Sequence, residues 1–277
     1  MFRLIDRMTT LLVLALIQPV LSLLPERWFS WQRSALAALW FDLGNKAVPE
    51  GGADDSPFGY VTQFDDFNRV AVDTTNLWNA NNDAGGTAFA INAQANGAIR
   101  GGVDTDDNDN TNINGPVIYR PSAGGLICEW RVALVTSLAN GETFIGMSDA
   151  VTDELPIQVS ATDVQTDAAS DAAGFCYTGG GTASWKCCSV IADTSRTPVA
   201  ANQGGATTPV LTTFQTFRIR YNVDGDANFY INGIWQAEIL LAVTPGTLEN
   251  QYLAFLSGTT ARSVDADYAY VRVARVG

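Results

Sequence analysis

Histidine is missing from all 277 residues, and that absence excludes more than any motif that is present. Within one chain it removes Ser-His-Asp and Cys-His nucleophilic catalysis, histidine-ligated zinc and histidine pH switching. Cysteine is sparse, with only Cys128, Cys176, Cys187 and Cys188. The adjacent pair cannot easily bridge to itself and forms no Cys-x-x-Cys zinc knuckle. The four read as small buried apolar residues, with a disulfide from Cys176 to either member of the pair left open for an oxidising compartment.

Positive charge is also scarce, and unevenly spread. Residues 1–50 carry five Lys or Arg against four Asp or Glu, whereas residues 51–277 carry eleven against twenty-five, so the net charge of -13 resides in the second part. Nucleic-acid affinity comes largely from neutralising phosphates with Lys and Arg, so a body of this sign is not expected to bind nucleic acid. The bland consequence of the acidity is a well-solvated surface.

What is present divides into two regions. Residues 8–24 are free of charge, and as a helix they would span about 25 Å at 1.5 Å per residue, slightly short of a ~30 Å bilayer core. A signal peptide lacks a small-x-small cleavage site in VLSLLPERW. A membrane anchor is weakened by the length and by Pro19. The third reading is an assembly arm over residues 1–45, made of helices at 4–24 and 26–41. Leu11, Leu12, Leu14, Leu16, Ile17, Leu21 and Leu24 supply its first apolar surface, and Trp28, Trp31, Leu36, Leu39 and Trp40 its second, at helical spacing. Such a stripe left bare would aggregate, so the arm predicts an oligomer of this chain or a docked partner. Residues 46–59, rich in Gly, Pro and acidic side chains, read as a linker.

From residue 60 onward, short runs of β-branched and aromatic residues alternate with Gly, Asn, Asp, Ser and Thr, and no helical period appears. TAFAINA, LICEWRVALV, TFIGMSD, AGFCYTG, WKCCSVIAD, TFRIRYNV, NFYI, IWQAEIL, QYLAFLSG and DYAYVRVARV are the expected strands. In TFRIRYNV, Phe217, Ile219 and Tyr221 fall on one face and Arg218 and Arg220 on the other, as a half-buried antiparallel strand requires. Asp224-Gly225 and Asn232-Gly233 are each read as a tight hairpin turn, joining three strands into a meander. The fold class expected is all-β: a two-sheet antiparallel jelly-roll sandwich over 60–277, preceded by the hydrophobic helical arm.

The meander ending in FYINGIW resembles the concanavalin A-like lectin/glucanase superfamily, including laminin-G-type domains. Over most of residues 60–277, FDDFNR, ANGAIRGGVDTDDNDNTNI, EWRVAL, FIGMSDA, GFCYTG, FYINGIW, AVTPGTL and ADYAYVRV follow in an order similar to concanavalin A-like proteins encoded among tailed-bacteriophage structural genes, notably marine ones. That resemblance implies a jelly roll carried on a virion surface, as a capsid decoration or cement protein or a head fibre, in contact with other virion proteins.

Catalytic patterns of the superfamily are not matched. No Glu-x-Asp-x-(x)-Glu strand supplies the two carboxylates of a glycosidase. Glu129-Trp130-Arg131 matches part of an alginate-lyase strand, and Tyr230 with Gln236 loosely another, but the histidine is gone; a cross-strand ion pair explains Glu129 better. The acidic stretch at 104–112 offers Asp104, Asp106, Asp107 and Asp109 as candidate calcium ligands, against a plain acidic turn. No other cofactor is expected. Trp78, Trp185 and Trp235 invite a sugar-binding reading, with Trp78 and Trp235 as the candidate glycan residues and core packing as the alternative. The expectation is a non-enzymatic virion protein, with a membrane-anchored or particle-borne lectin at the cell surface as the alternative.

Overall fold

Alternation of apolar and polar residues over runs of five to nine, closed by Gly, Asn and Asp, leaves these segments few options but paired strands. The computed structural model describes residues 60–274, except 84, 93–96, 153, 161, 164, 180–183 and 205–206. The arm expected over 1–45 and the linker at 46–59 lie outside the described residues. Among the described residues no helix is long and apolar enough to cross a membrane.

In chain order the strands are β1 (Tyr60–Asp65), β2 (Asn79–Asn82), β3 (Thr87–Ile91), β4 (Ile99–Val103), β5 (Asn110–Asn114), β6 (Leu126–Leu134), β7 (Gly141–Ser148), β8 (Ile157–Val159), β9 (Gln165–Asp167), β10 (Ala172–Thr178), β11 (Lys186–Ile191), β12 (Thr194–Ser195), β13 (Val199–Ala200), β14 (Gln215–Tyr221), β15 (Ala227–Ile231), β16 (Ile234–Ile239), β17 (Asn250–Ser257) and β18 (Arg262–Ala274). They form two eight-stranded antiparallel sheets. The first runs β16-β15-β14-β6-β18-β4-β3, with β1 also on β18; the second runs β12-β11-β10-β7-β17-β5-β2, with β13 also on β11. β5 corrects one expectation, because residues 110–112 are not part of an acidic turn but belong to a strand buried on both faces.

The two inner faces interdigitate into one core. From β6 come Leu126, Cys128, Trp130, Val132 and Leu134, from β14 Phe217, Ile219 and Tyr221, and from β17 Leu253 and Phe255. Trp130 lies 5.5 Å from Trp78, which lies 5.7 Å from Phe67. Phe217 meets Phe175 at 5.1 Å and Trp185 at 4.6 Å. Such ring pairs contribute about 0.5–1.5 kcal/mol each beyond their buried area. Trp78 and Trp185 are therefore core residues, only 3% and 1% exposed, with their indole N–H groups donated to Asp65 at 2.7 Å and Gln215 at 3.0 Å. The glycan role considered for Trp78 is corrected accordingly.

The outward face of the second sheet is closed over. Phe144, Cys176, Cys188 and Tyr252 point away from the core yet remain buried, because Leu155, Ile157 and Val159 of a crossing segment pack onto them. Tyr252 donates its hydroxyl to the Glu154 carbonyl at 3.1 Å, and Lys186 pairs with Asp163, which fastens that segment down. All four cysteines are buried free thiols, as their apolar context predicts. Among the described residues, no comparable segment packs over the outward face of the first sheet, where Phe64 and Trp235 are exposed.

Candidate functional site

Strand register, rather than any contiguous motif, assembles the open face. Along β6 the outward positions are Ile127, Glu129, Arg131 and Ala133, alternating with the core residues. Glu129 stands opposite Arg218 of β14 on one side and Tyr270 of β18 on the other. Arg218 in turn faces Tyr230 of β15, Tyr230 faces Trp235 of β16, and Tyr270 faces Phe64 of β1. Trp235, Tyr230, Arg218, Glu129, Tyr270 and Phe64 thus form one transverse row across six strands, about 24 Å long at ~4.8 Å per strand. Trp235 is 47% exposed and Phe64 59%, so the row ends in a solvent-facing ring on each side.

The next row toward the β6 N-terminus is Glu238, Asn228, Arg220, Ile127, Arg272 and Thr62. On the other side, Arg131 stands between Thr216 and Tyr268. A β-bulge between Ala266 and Tyr268 inserts Asp267, and this extra residue pairs with Arg131. Bulges re-aim side chains in this manner while leaving the flanking alternation intact. Arg131 also lies over the Phe214 ring, 4.6 Å from its centre.

Glu129 sits at the electrostatic centre. Arg218 donates to one of its oxygens and the Tyr268 hydroxyl donates to the other at 2.7 Å. Burial, reinforced by that acceptor, pushes the Tyr268 phenol up to about 12. Burial likewise raises Tyr270, opposed by Arg272, which hydrogen-bonds it. Both hydroxyls therefore remain donors at neutral pH. The cross-strand ion pair expected of Glu129 is present, and so is the expected outward placement of Arg218 and Arg220.

Two-carboxylate hydrolysis requires acids roughly 5–10 Å apart. Glu129 is the only carboxylate on the outward side of β6. Asp265 and Asp267 are engaged by Arg100 and Arg131. Glu238 stands three strands away, about 14 Å at the usual strand spacing.

The acidic cluster occupies the turn between β4 and β5, apart from this face. Asp104, Asp106 and Asp109 present carboxylate oxygens within 4.8 Å of one another; Asp107, expected as a fourth ligand, is not in the group. Asp104 also caps the backbone of Asp106 at 2.8 Å, the local Asx-turn role foreseen for this stretch. A side chain on Gly85 would overlap the carboxylates of Asp104 and Asp109, so the absence of a Cβ there makes room for them. Hydrogen bonding between these two groups requires a shared proton, and it holds Asp109 above the usual carboxylate range. As an all-oxygen set the trio fits a hard cation such as calcium.

Of the glycan candidates, Trp235 lies on the open face and Trp78 does not. Sequence reasoning missed Phe64, Tyr268, Tyr270 and Arg272 as members of that face. Period-two alternation in DYAYVRV shows that Tyr268, Tyr270 and Arg272 point together. It does not show that β6 is the neighbouring strand.

No family model matches the chain, and no curated protein matches it. Solved structures do. A β-glucanase from Bacillus licheniformis superposes with a TM-score of 0.54 at 10% identity, over 78% of this chain and 98% of that one. A glycoside hydrolase family 16 endo-glucanase from Bacteroides ovatus gives 0.52 at 10%, over 76% and 99%. The carbohydrate recognition domain of Emp47p gives 0.51 at 11%, over 78% and 95%. At these identities the likeness is one of fold: the described residues form a two-sheet antiparallel jelly-roll sandwich.

Proposed function

We propose that the sandwich is a non-catalytic carbohydrate-binding module that lays an extended glycan across its open sheet. The observation that carries this reading is the transverse row from Trp235 through Tyr230, Arg218, Glu129 and Tyr270 to Phe64. Exposed rings stack on sugar faces, while an ordered net of guanidinium, carboxylate and phenol groups between them bonds hydroxyls. The fold neighbours support it, since they include glucanases and a carbohydrate recognition domain. Glycan-array binding of the intact chain tests it: Trp235→Ala is expected to abolish binding while melting and circular dichroism stay unchanged. Binding unaffected by that change would overturn the reading.

The wider role we propose is display on a virion, with residues 1–45 fastening the chain to capsid or other virion proteins or to sister copies. The uncharged run at 8–24 and the Trp28, Trp31 and Trp40 stripe favour it. A membrane anchor at the cell surface is the competing use of the same run. Removing residues 1–45 is expected to leave a soluble sandwich that no longer joins particles. Continued incorporation of the shortened chain refutes the arm, and dependence of the full chain on detergent favours lipid.

A further inference from the structure

The inner face of the second sheet ends in acid. Along β7, β10 and β17 the odd-numbered positions point into the core, where Ile145 and Met147, Ala173 and Phe175, and Leu253 and Phe255 are packed. Ser148 stands opposite Ala172 of β10 on one side and Asn250 of β17 on the other. One step further along, the same register puts Asp149 between Asp171 and Glu249, and the Asp149 N–H donates to the Asp171 carbonyl at 2.9 Å, so the alignment continues past the strand ends. Three carboxylates thus stand abreast on neighbouring segments, at about 4.8 Å per strand. Burial first, and then the Glu249 charge, holds the Tyr221 phenol of β14 well above its ordinary value, which places Glu249 opposite the first sheet.

Arg69, Arg100, Arg131, Lys186 and Arg218 make their ion pairs with other acids. What acts on Glu249 is burial first, then Asp171 and Asp149, and all three disfavour its charged form. Glu249 is 0% exposed, yet neither of its oxygens, nor Oδ1 of Asp149, has a hydrogen-bond partner among the described residues. Buried polar atoms are almost always partnered, and a buried charge is paired or coordinates a metal. Asp171 is the anchored member: it accepts from the Thr244 N–H at 2.5 Å and from the Thr247 hydroxyl at 3.3 Å, which fixes the 244–247 loop beside the row. Asp149 is half-buried, so the row is reached from solvent at its middle.

We infer that Asp149, Asp171 and Glu249 form a site for a small hard divalent cation of the manganese and magnesium class. The set is all oxygen, which disfavours soft metals. Calcium takes about six to eight oxygens, whereas the smaller ions take about six and keep several of these as water. Three acids, one of them already engaged by Thr244 and Thr247, suit the smaller shell. The oxygens of the row are not drawn within 4.8 Å of one another as those of Asp104, Asp106 and Asp109 are. Like charges spread apart when no cation lies between them, and side-chain rotation at Glu249 and Asp149 closes the gap around one.

Asp109→Asn is the background for the test, because the β4–β5 cluster has then lost a carboxylate. The full chain, stripped with chelator, is titrated with manganese, and loss of the free-ion electron paramagnetic resonance signal counts what is bound. One ion per chain is expected, with Tm raised by about 5 °C or more at saturation. Glu249→Gln and Asp149→Asn are each expected to weaken binding roughly ten-fold or more. In chelator at pH 8 Glu249→Gln melts above its background, since a buried acid is gone; with manganese it is expected to melt below it. A buried acid that merely holds a proton keeps the same order in both conditions, and that result overturns the inference. So does manganese bound equally well with and without Glu249→Gln or Asp149→Asn, the second being a change at a half-buried position that leaves the core intact. Calcium acting as strongly as manganese overturns the choice of a small ion and leaves the acid row as the site.

Discussion

Arg218 of β14 closes on the Glu129 carboxylate of β6, and the pair sits across two neighbouring strands with side chains 25% and 10% exposed. Tyr268 completes the arrangement from β18. Glu129→Gln removes the charge that both groups address while keeping the shape. Losing a charge-assisted bond in a partly buried setting is expected to cost about 1–3 kcal/mol, a few degrees in Tm for a domain of this size. A sharper readout is available as well. Part of the upward push on the Tyr268 phenol comes from Glu129, so the phenol is expected to ionise at lower pH in the variant than its present value of about 12. Ultraviolet titration of tyrosinate measures this, and an unmoved titration would show that the hydrogen bond is not made.

The two glycine turns of the meander behave as opposite cases. Asn232 and Gly233 form the two-residue hairpin that Asn-Gly predicts, with φ of 51° and 77°. Asp224-Gly225 does not: it lies in a five-residue loop between β14 and β15, organised by Asn222, whose Oδ1 accepts from Asp224 and Asp226. Gly225 has φ of 84°, and a Cβ there would run into the Val243 carbonyl, whereas a Cβ at Gly233 meets nothing within 4 Å. Gly233→Ala is expected to cost about 1 kcal/mol, the left-handed penalty alone. Gly225→Ala is expected to cost clearly more, because the loop and the 242–243 backbone that bonds it must both shift. Urea melts of the two variants rank them.

That contrast shows what the chain makes legible. Side-chain period and turn dipeptides are local signals, so the strands, the outward placement of Arg218 and Arg220, and the Asn-Gly hairpin were all readable. Gly225 is governed by a segment seventeen residues further on, and the same limit hid the site. Glu129, Arg218 and Tyr268 span nearly 140 positions and meet only because β6 lies between β14 and β18. Trp78 misled for a related reason. An isolated tryptophan beside Asn-rich sequence gives no sign that Asp65 will satisfy its N–H in the core.

Buried acids set the pH response. Glu249 is fully buried, and neither of its oxygens has a hydrogen-bond partner among the described residues; burial, then the nearby charges of Asp171 and Asp149, push it well above the ordinary carboxyl range. Burial also raises Glu142 to about 7, against the pull of Arg262. For both groups the folded state binds a proton that the unfolded state has released. Their stabilising effect is therefore full below the ordinary carboxyl pKa of ~4.3 and is lost as pH rises toward the folded value, by about 1.4 kcal/mol per unit for each fully released proton. Glu249→Gln and Glu142→Gln are each expected to melt higher than the parent at pH 8, with the difference shrinking toward pH 4. For Glu142 the difference is expected to stop growing above about 7. A difference independent of pH would show that these acids stay ionised in the fold.

At the β4–β5 turn, Asp109 is held above the ordinary carboxylate range first by its hydrogen bond with Asp104, then by desolvation and by the like charges of Asp104, Asp106 and Asp83. With its folded pKa above the unfolded one, ionising Asp109 subtracts stability as pH climbs through the carboxyl range. After chelation, Asp109→Asn is expected to raise Tm at pH 7 and to leave it unchanged near pH 3, where the carboxyls are protonated in any case. Millimolar calcium then separates the two uses of the cluster. A cation held by Asp104, Asp106 and Asp109 raises the Tm of the parent and does so much less in Asp109→Asn, because one hard oxygen anion is gone. An acidic turn with no cation leaves both melting points where chelation put them, and the variant then stays the more stable of the two at neutral pH.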